Sequence, residues 1–567
     1  MQKRWVQQHI TDSESVKRLK ESLQVDEILA SLLVKRQVTD FDAARSFFRP
    51  ELNHLHDPFL MKDMDIAIQR IEKAIAREER VLIYGDYDVD GTTSVALVYS
   101  FFRKYIRNIN FYIPDRYKEG YGISTAGIDY AASHGYSLII ALDCGIKSID
   151  KIAYANQKNI DFIICDHHLP GAELPQACAV LDPKRKDCAY PYKELSGCGI
   201  GYKLVQAYSQ KNNLPADELE CYLDLVAVSI ASDIVPITGE NRVLAWYGIK
   251  KLNENPCTGL SALMDVAGRK SAYTISDIVF TIGPRINAAG RIDDAKHAVN
   301  LLIADNHHVA RDKGVLINLK NTERKEHDIT ITEQALEMLD ADIHTSTRKT
   351  TVVYNQNWHK GVIGIVASRL TEKYYRPTIV LTQSNDHVAG SARSVVGFDL
   401  YEALSSCSDL LEQFGGHKYA AGLTMKEENV PAFRQRFEEV VSQTITDDML
   451  VQEITIDACM ELENITPKFF RILNQFAPFG PGNMAPVFLS KKVYVNGSAS
   501  IVGNNHLKMM VYQDNSPVFE CIGFGLGHHF AEIRKGIPFD ICYTIEERIW
   551  KEKKSVQLNI KDIRTYG

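Results

Sequence analysis

The stretch Val81-Leu-Ile-Tyr-Gly-Asp-Tyr-Asp-Val-Asp-Gly91 joins an apolar run to three carboxylates at alternate positions. Residues 81–84 are typical of a buried strand, so Asp86, Asp88 and Asp90 follow its carboxyl end. Three neighbouring carboxylates repel one another unless a cation lies among them. Their oxygen atoms favour hard divalent ions such as Mg²⁺ or Mn²⁺.

A calcium-binding EF-hand loop also begins D-x-D-x-D-G, and it is the main alternative interpretation. That loop requires a glutamate at its twelfth position and a helix before it. Counting from Asp86, the twelfth residue is Leu97, and the preceding element is a predicted strand. The EF-hand interpretation therefore fails.

Two similar apolar runs follow along the chain, at 137–142 (SLIIAL) and 161–165 (DFIIC). A stretch of helical length at 92–105 and a further helical pattern separate the three runs, which predicts a parallel α/β sheet. Asp143 follows the second run, and Asp166-His167-His168 follows the third. Open α/β sheets build their sites at this edge, so the sequence predicts a metal centre there.

Asp233, at the end of the apolar helical run 223–230, is a fourth candidate ligand, although an aspartate at a helix end is also a common turn former. Mixed carboxylate and imidazole ligands suit a two-metal hydrolytic site, which needs no nucleophilic side chain. Gly197-Cys-Gly-Ile-Gly201 lacks the full dinucleotide-binding spacing and is interpreted as the packed start of a helix.

The length and composition limit the number of domains, the expected location and the classes of substrate. The chain has 567 residues, 65 basic against 72 acidic, and 11 cysteines without a C-x-x-C pair. This length predicts two to four domains, and the scattered cysteines predict reduced thiols in the cytoplasm. No apolar run reaches the ~20 residues that span a bilayer. The net charge of −7 neither supports nor excludes a nucleic-acid substrate.

The four motifs DYDVDG, LDCG, DHH and SDIVP together, in this order, resemble the DHH phosphoesterase superfamily. The segments 358–369 (WHKGVIGIVASR), 390–394 (GSARS) and 414–422 (FGGHKYAAG) are similar to its companion DHHA1 domain. The segments 283–291 (GPRINAAGR), 113–116 (IPDR) and 119–122 (EGYG) resemble the RecJ branch in particular.

The resemblance and the element pattern together predict an α/β fold: a parallel-sheet DHH domain, a long connecting helix, a DHHA1 α/β domain and a C-terminal β-barrel of the OB type. The expected bounds are an N-terminal helical segment at 1–50, the DHH domain at 51–305, the connecting helix at 306–340, the DHHA1 domain at 341–447 and the OB-like domain at 448–567.

Carried over motif by motif, the resemblance implies five metal ligands: Asp88, Asp90, Asp143, His167 and Asp233. It implies catalytic roles for Asp86, Asp166 and His168; Asp86 is either an auxiliary ligand or an outer partner, and His168 contacts the scissile phosphate or protonates the leaving oxygen. Tyr84 departs from the pattern, because other branches carry a histidine ligand there, which puts a sixth protein ligand in doubt.

The resemblance also implies a pocket for the 5′ phosphate, lined by Arg116, Arg285, Ser391 and Arg393. His417 follows Gly415-Gly416, a predicted turn that can approach a ligand closely, so it is expected to bind phosphate near the site; a structural capping role is the alternative. Arginine presents a planar fork that matches phosphate oxygens, and serine adds a donor. The alternative for each arginine is a salt bridge that holds one lobe to the other.

The implied activity is 5′→3′ hydrolysis of single-stranded DNA with two Mn²⁺ or Mg²⁺ ions, in DNA repair and recombination. The implied protein is a cytoplasmic monomer that works with a single-strand-binding protein and a RecQ-type helicase and contacts no membrane. Two alternatives are a DHH hydrolase of short oligonucleotides or small nucleotides, which usually ends after the DHHA1 domain, and a nuclease-dead replication scaffold, which loses metal ligands.

Overall fold

The computed structural model describes residues 3–9, 12–269, 271–550 and 553–566. The chain divides into two compact units, each with its own core. Unit I comprises Pro50–Ile329 and Pro478–Asn483, and unit II comprises residues 1–49, 330–477 and 484–567.

In the described residues of its N-terminal part, unit II contains one strand and three α-helices. Aspartates at positions 12, 26 and 40 begin the helices, and each side chain accepts a hydrogen bond from a backbone N–H of the first turn. The elements are β1 (Arg4–Gln7), α1 (Ser13–Leu23), α2 (Glu27–Lys35) and α3 (Phe41–Phe48).

Unit I is built on a five-stranded sheet in which every pair of neighbours is parallel. The strands are β2 (Val81–Gly85), β3 (Ile109–Tyr112), β4 (Leu138–Leu142), β5 (Asp161–Cys165) and β6 (Ala179–Leu181), in the order β3-β2-β4-β5-β6. The three predicted strands are its centre. The two outer strands escaped prediction because β3 is half exposed and β6 has only three residues.

Both faces of this sheet are covered. Ile83, Ile140 and Ile163 pack into a large core with helices on one face, while Tyr84, Ile139 and Phe162 belong to a second core on the other face. A sheet buried on both faces requires continuous apolar strands, which explains the runs seen in the sequence.

The helices of unit I fill these two layers. They are α4 (Met64–Ala76), α5 (Val89–Phe102), α6 (Thr125–Ser133), α7 (Ile149–Gln157), α8 (Gly197–Lys211), α9 (Asp217–Glu220), α10 (Leu223–Ser232), α11 (Gly239–Glu254), α12 (Thr258–Ala267), α13 (Ile275–Asp277), α14 (Gly283–Ile292) and α15 (Lys296–Leu302), with a π-helical turn at Ile278–Ile282. Helix α5 begins three residues before the predicted start because Asp88 caps it: its carboxylate accepts from Gly91 N at 3.0 Å.

The polar stretch predicted as a connecting helix is one continuous helix of 35 residues, α16 (His307–Ala341). At 1.5 Å per residue it is roughly 52 Å long. Its residues up to Ile329 belong to unit I and the remainder to unit II.

Unit II continues with a mixed five-stranded sheet. Strands β7 (Thr351–Tyr354) and β8 (Thr378–Ser384) are parallel, and β9 (His387–Arg393), β10 (Gln413–His417) and β11 (Ala420–Met425) extend the sheet antiparallel in the order β10-β11-β9-β8-β7. The accompanying helices are α17 (Ile363–Tyr374), α18 (Leu400–Ser405) and α19 (Val430–Thr444).

After β12 (Glu453–Ile456), which pairs with β1, the chain forms a barrel. Strand β14 (Phe488–Val495) pairs with both β18 (Phe539–Trp550) and β16 (His506–Tyr512). With β17 (Phe519–Gly523) and β19 (Lys553–Thr565), these strands close a ring in the order β14-β18-β19-β17-β16. Five strands in a closed ring are the arrangement of an OB-fold, so the predicted fold class is confirmed. The remaining elements are β13 (Ala458–Cys459), α20 (Pro467–Asn474), β15 (Ser500–Val502) and α21 (Phe530–Ile533).

Candidate metal centre

Polar side chains follow the three central strands of the unit I sheet where each strand ends. Asp86 follows β2, Asp143 follows β4, and Asp166-His167-His168 follows β5. Asp143 has a φ of 59°, and its backbone N–H donates to Cys165 O at 2.9 Å, so the turn after β4 is bonded to the end of β5. Parallel strands thus bring residues distant in sequence to one edge.

His167 is the point on which the acids converge. Its Nε2 atom lies 3.1 Å from Asp143 Oδ1, 3.6 Å from Asp233 Oδ2 and 3.7 Å from Asp90 Oδ2. Ligand atoms fall within 4.8 Å of one another in two groups: Asp143, His167 and His168; and Asp90, His167 and Asp233. The structure therefore brings together four of the five predicted metal ligands.

Several polar atoms of this cluster are buried without a hydrogen bond among the described residues. They are Asp143 Oδ1, Asp86 Oδ2 and both ring nitrogens of His167; the 3.1 Å approach of His167 Nε2 to Asp143 Oδ1 does not have hydrogen-bond geometry. Buried polar atoms are nearly always satisfied, because an unsatisfied one costs free energy. Oxygen and imidazole donors suit Mn²⁺ or Mg²⁺, so the residues present fit a divalent cation.

The charges of the cluster also favour a bound divalent cation. Burial and the nearby Asp90 carboxylate raise the pKa of Asp143 well above its usual value. Burial, with Asp90 and Asp88, raises the pKa of Asp233 to about 8. Burial lowers the pKa of His167, which favours the neutral imidazole that can bind a metal. A bound cation would relieve this repulsion.

Asp90 is held by the start of helix α8 and by a serine of α10. Its carboxylate accepts hydrogen bonds from Gly197 N at 2.7 Å, Cys198 N at 2.8 Å and Ser229 Oγ at 2.7 Å. The positive end of a helix stabilises a nearby carboxylate. Sequence reasoning interpreted 197–201 only as packing and assigned no role to Ser229, so these three supporting residues were missed.

Asp86 and Asp88 lie beside the cluster on the loop that leads into α5. Gly122 N–H approaches Asp86 Oδ1 at 3.4 Å, while Asp88 caps α5. Burial first, and then the charge of Asp88, raises the pKa of Asp86 well above its usual value. This buried and repelled carboxylate fits either predicted role, auxiliary ligand or outer partner.

His168 is oriented by two partners. Its Nδ1 lies 2.8 Å from Asp166 Oδ1, and its Nε2 lies 3.2 Å from Tyr121 Oη. Burial lowers the pKa of His168, but the hydrogen bond and charge of Asp166 outweigh it and raise the pKa overall. Tyr121 was missed as a site residue, although it lies in the quoted segment 119–122.

Tyr84, the departure from the family pattern, is buried in the sheet, and its hydroxyl makes hydrogen bonds to residues outside the metal cluster. Its hydroxyl donates to Gly122 O at 3.0 Å and accepts from Ser124 N at 3.1 Å. These bonds hold the loop that carries Tyr121, so the tyrosine supports the site's surroundings.

Two of the predicted phosphate-binding residues lie in unit I. The guanidinium of Arg116 lies 4.8 Å from the ring centroid of Tyr87, within the aspartate loop. Arg285 donates from Nε to Asn318 Oδ1 at 3.0 Å and from Nη1 to Thr281 O at 2.7 Å. Their binding role stays a prediction.

The other three lie in unit II. Ser391 and Arg393 are on one face of β9, where Arg393 Nη1 lies 3.2 Å from Ser391 Oγ. Arg393 pairs in register with Ala420, which in turn pairs with the exposed His417, so Arg393 and His417 lie in one row across the three strands, and Ser391 lies in the next row on the same face. Their role in binding phosphate also stays a prediction.

Three family models match the chain: the DHH family, N-terminal domain, over residues 80–230; the DHHA1 domain over 348–443; and the RecJ OB domain over 456–562. The single-stranded-DNA-specific exonuclease RecJ of Bacillus subtilis is 38% identical over 555 residues, which cover 97% of this chain and 70% of that protein. The chain belongs to the RecJ exonuclease family. The RecJ of Escherichia coli is 32% identical over 89% of this chain and 90% of its own.

Two solved structures support the same family assignment. The crystal structure of RecJ in complex with Mn²⁺ from Thermus thermophilus superposes with a TM-score of 0.85 at 25% identity, covering 100% of this chain and 80% of that one. A crystal structure of exonuclease RecJ bound to manganese is 30% identical, with a TM-score of 0.61 over 70% of this chain and 97% of that one. The expected family is thus confirmed.

Proposed function

We propose that this protein is a 5′→3′ exonuclease that hydrolyses the phosphodiester bonds of single-stranded DNA with two Mn²⁺ or Mg²⁺ ions, in DNA repair and recombination. The observation that carries the proposal is the convergence of Asp90, Asp143 and Asp233 on His167 Nε2. Membership of a family whose relatives are named single-stranded-DNA-specific exonucleases supports the substrate.

Asp88, Asp90, Asp143, His167 and Asp233 hold the ions, with Asp86 as an auxiliary ligand or outer partner. When bound, a pair of divalent ions supplies Lewis-acid stabilisation of the phosphate and an activated water. The chain's own contribution is to fix the ligands: Gly197, Cys198 and Ser229 orient Asp90, and burial lowers the pKa of His167, which favours its neutral ring.

His168 handles the proton. Asp166 accepts from Nδ1 and raises the pKa of the ring, which favours the doubly protonated imidazole, whose Nε2 proton can be donated to the leaving oxygen. Tyr121 lies beside that Nε2 atom and fixes the ring plane. The alternative role, a contact with the scissile phosphate, uses the same atom.

Five residues bind phosphates of the strand: Arg116, Arg285, Ser391, Arg393 and His417. Anchoring the terminal phosphate would make cleavage depend on the 5′ end. The guanidinium and hydroxyl groups at these positions have the donors that phosphate oxygens accept.

The functional parts follow the predicted bounds: an N-terminal segment at 1–50, the DHH domain at 51–305, the connecting helix at 306–340, the DHHA1 domain at 341–447 and the OB-like domain at 448–567. The protein acts as a cytoplasmic monomer, with a single-strand-binding protein and a RecQ-type helicase as partners. The matches of the DHH, DHHA1 and OB models to residues 80–230, 348–443 and 456–562 support the order of the three main domains. In the described ranges no helix has both the length and the apolar character to cross a membrane.

A labelled oligonucleotide tests the activity. With Mn²⁺, a 5′-labelled strand should lose its label first as mononucleotide, a 3′-labelled strand should shorten progressively, and a duplex should resist. Removing the 5′ phosphate should slow cleavage. Preferred cleavage of a dinucleotide over a long strand would instead favour a small-substrate hydrolase.

The variants Asp90→Ala and His167→Ala test the metal centre. Both should abolish digestion and Mn²⁺ binding by calorimetry while circular dichroism shows a folded protein. His134→Ala is the matched control, since this histidine is exposed at the end of α6. Unimpaired digestion by either centre variant would refute the ligand assignment.

A further inference from the structure

The side chain of Phe280 is exposed at an unusual place. It is 77% exposed, more than any other phenylalanine or tyrosine in the described ranges, while Ile278 and Ile282 on either side are fully buried. A single exposed apolar residue has no special meaning by itself. The surroundings of Phe280, however, indicate a function for its side chain.

Phe280 lies in the middle of the π-helical turn Ile278–Ile282. The backbone N–H of Gly283 donates to Ile278 O, five residues back, in place of the usual four. Such turns are rare and are frequent at functional sites. The turn is therefore a local departure from helix geometry at the residue that carries the exposed ring.

This turn is packed directly against a metal-ligand segment. A Cβ atom added to Gly283 would lie 2.8 Å from Ser232 Oγ, and Ser232 immediately precedes Asp233. Phe280 is three residues from Gly283, which is roughly 5 Å along a helix axis. Along the helix, Phe280 is thus less than one turn from the glycine whose backbone contacts the Asp233 segment.

The far end of the stretch 278–292, which begins with the π-helical turn, contacts the aspartate loop (residues 86–90). A Cβ atom on Gly290, near the end of α14, would lie 2.8 Å from Tyr87 O, between Asp86 and Asp88. Residues 278–292 therefore run beside two of the ligand-bearing segments. Arg285 projects from this stretch, and its Nη1 donates to Thr281 O, next to Phe280 in the chain.

We infer that Phe280 stacks on a base of the substrate strand beside the metal centre. A cation for phosphate and an aromatic ring for a base, on one segment, are the pair of groups that bind unpaired nucleic acid. Stacking tolerates any base, because every base has a π-face, which suits an enzyme that must pass along all sequences. The inference rests on the proposed nuclease function.

The variant Phe280→Ala tests it through steady-state kinetics on a 5′-phosphorylated oligonucleotide with Mn²⁺. Loss of one base stack should raise KM about 5- to 150-fold with kcat within about twofold. Phe280→Trp should keep KM near the wild-type value. Phe41→Ala is the matched control: this phenylalanine is 52% exposed at the start of α3, in unit II, and its loss should leave KM unchanged.

Abasic substrates add a readout that a structural role would not move. Oligonucleotides with one abasic position, moved stepwise from the 5′ end, should reveal one position at which the wild type loses affinity. Phe280→Ala should show no additional loss at that position, because its stacking partner is already gone. Thermal melting should show both phenylalanine variants folded.

A KM for Phe280→Ala within twofold of wild type, or the same abasic profile in both proteins, overturns the inference. Unchanged DNA kinetics with lost binding of a protein partner also overturns it, and assigns the ring to that partner. These results leave the nuclease proposal intact. Failure of the wild-type protein to digest the strand is the separate result that refutes the proposed function itself.

Discussion

Replacing Ser229 by alanine should weaken metal binding without changing a single ligand. Ser229 is fully buried, and its hydroxyl donates to Asp90 Oδ1 at 2.7 Å. The variant leaves Asp90 with the two backbone donors of α8, Gly197 N and Cys198 N. The carboxylate can then turn away from the orientation in which it faces His167.

The magnitude follows from that geometry. A hydrogen bond to a charged group contributes about 1.5–3 kcal/mol. Loss of a partner that orients a ligand typically costs 10- to 100-fold in metal affinity, about 1.4–2.8 kcal/mol. The two ranges agree, so we expect Ser229→Ala to raise the Kd for Mn²⁺ by about 10- to 100-fold, with kcat largely restored at saturating Mn²⁺.

Calorimetric titration with Mn²⁺ measures the change directly. Ser94→Ala is the matched control, because Ser94 is equally buried but donates mainly to the backbone carbonyl of Asp90, at 2.7 Å, and lies 3.5 Å from its carboxylate. An unchanged Kd in Ser229→Ala, or an equal loss in Ser94→Ala, would refute the role of Ser229 in orienting Asp90.

Three further outcomes are expected. Burial raises the pKa of Asp182 to about 7 from 3.8, so the stability that this residue contributes is present below about pH 4 and is lost as the pH rises through 7. Asp182→Asn should therefore raise Tm at pH 8.5 but not at pH 4. Equal changes in Tm at both pH values would contradict this expectation. Tyr121→Phe removes the hydroxyl beside His168 and should lower kcat/KM about 2- to 12-fold with Mn²⁺ affinity unchanged; a changed Kd would speak against it. Gly197→Ala places a Cβ 2.6 Å from Asp143 Cβ and should weaken Mn²⁺ binding in a titration, whereas Gly199→Ala meets only ordinary contacts and should not; equal effects would exclude the steric explanation.

Residue pattern alone was enough for much of the fold. The central strands β2, β4 and β5 were predictable because a sheet buried on both faces needs unbroken apolar runs, and α16 because 35 residues contain no helix-breaking proline. The edge strand β3 and the three-residue strands β6 and β15 were not, since short or half-exposed strands owe their existence to pairing with neighbours.

The metal ligands could likewise be predicted from the sequence, since acids and histidines at strand ends in a parallel sheet must meet at one edge. Asp233 could equally have been a turn former, and only the approach of α10 to His167 distinguishes the two. The donors around Asp90 were hidden as well, because two of them are backbone N–H groups that every residue possesses. The sequence by itself determined which atoms can bind a cation, as this depends on side-chain chemistry. Only the tertiary structure decided which groups hold those atoms in place, as this depends on distances between residues more than a hundred positions apart.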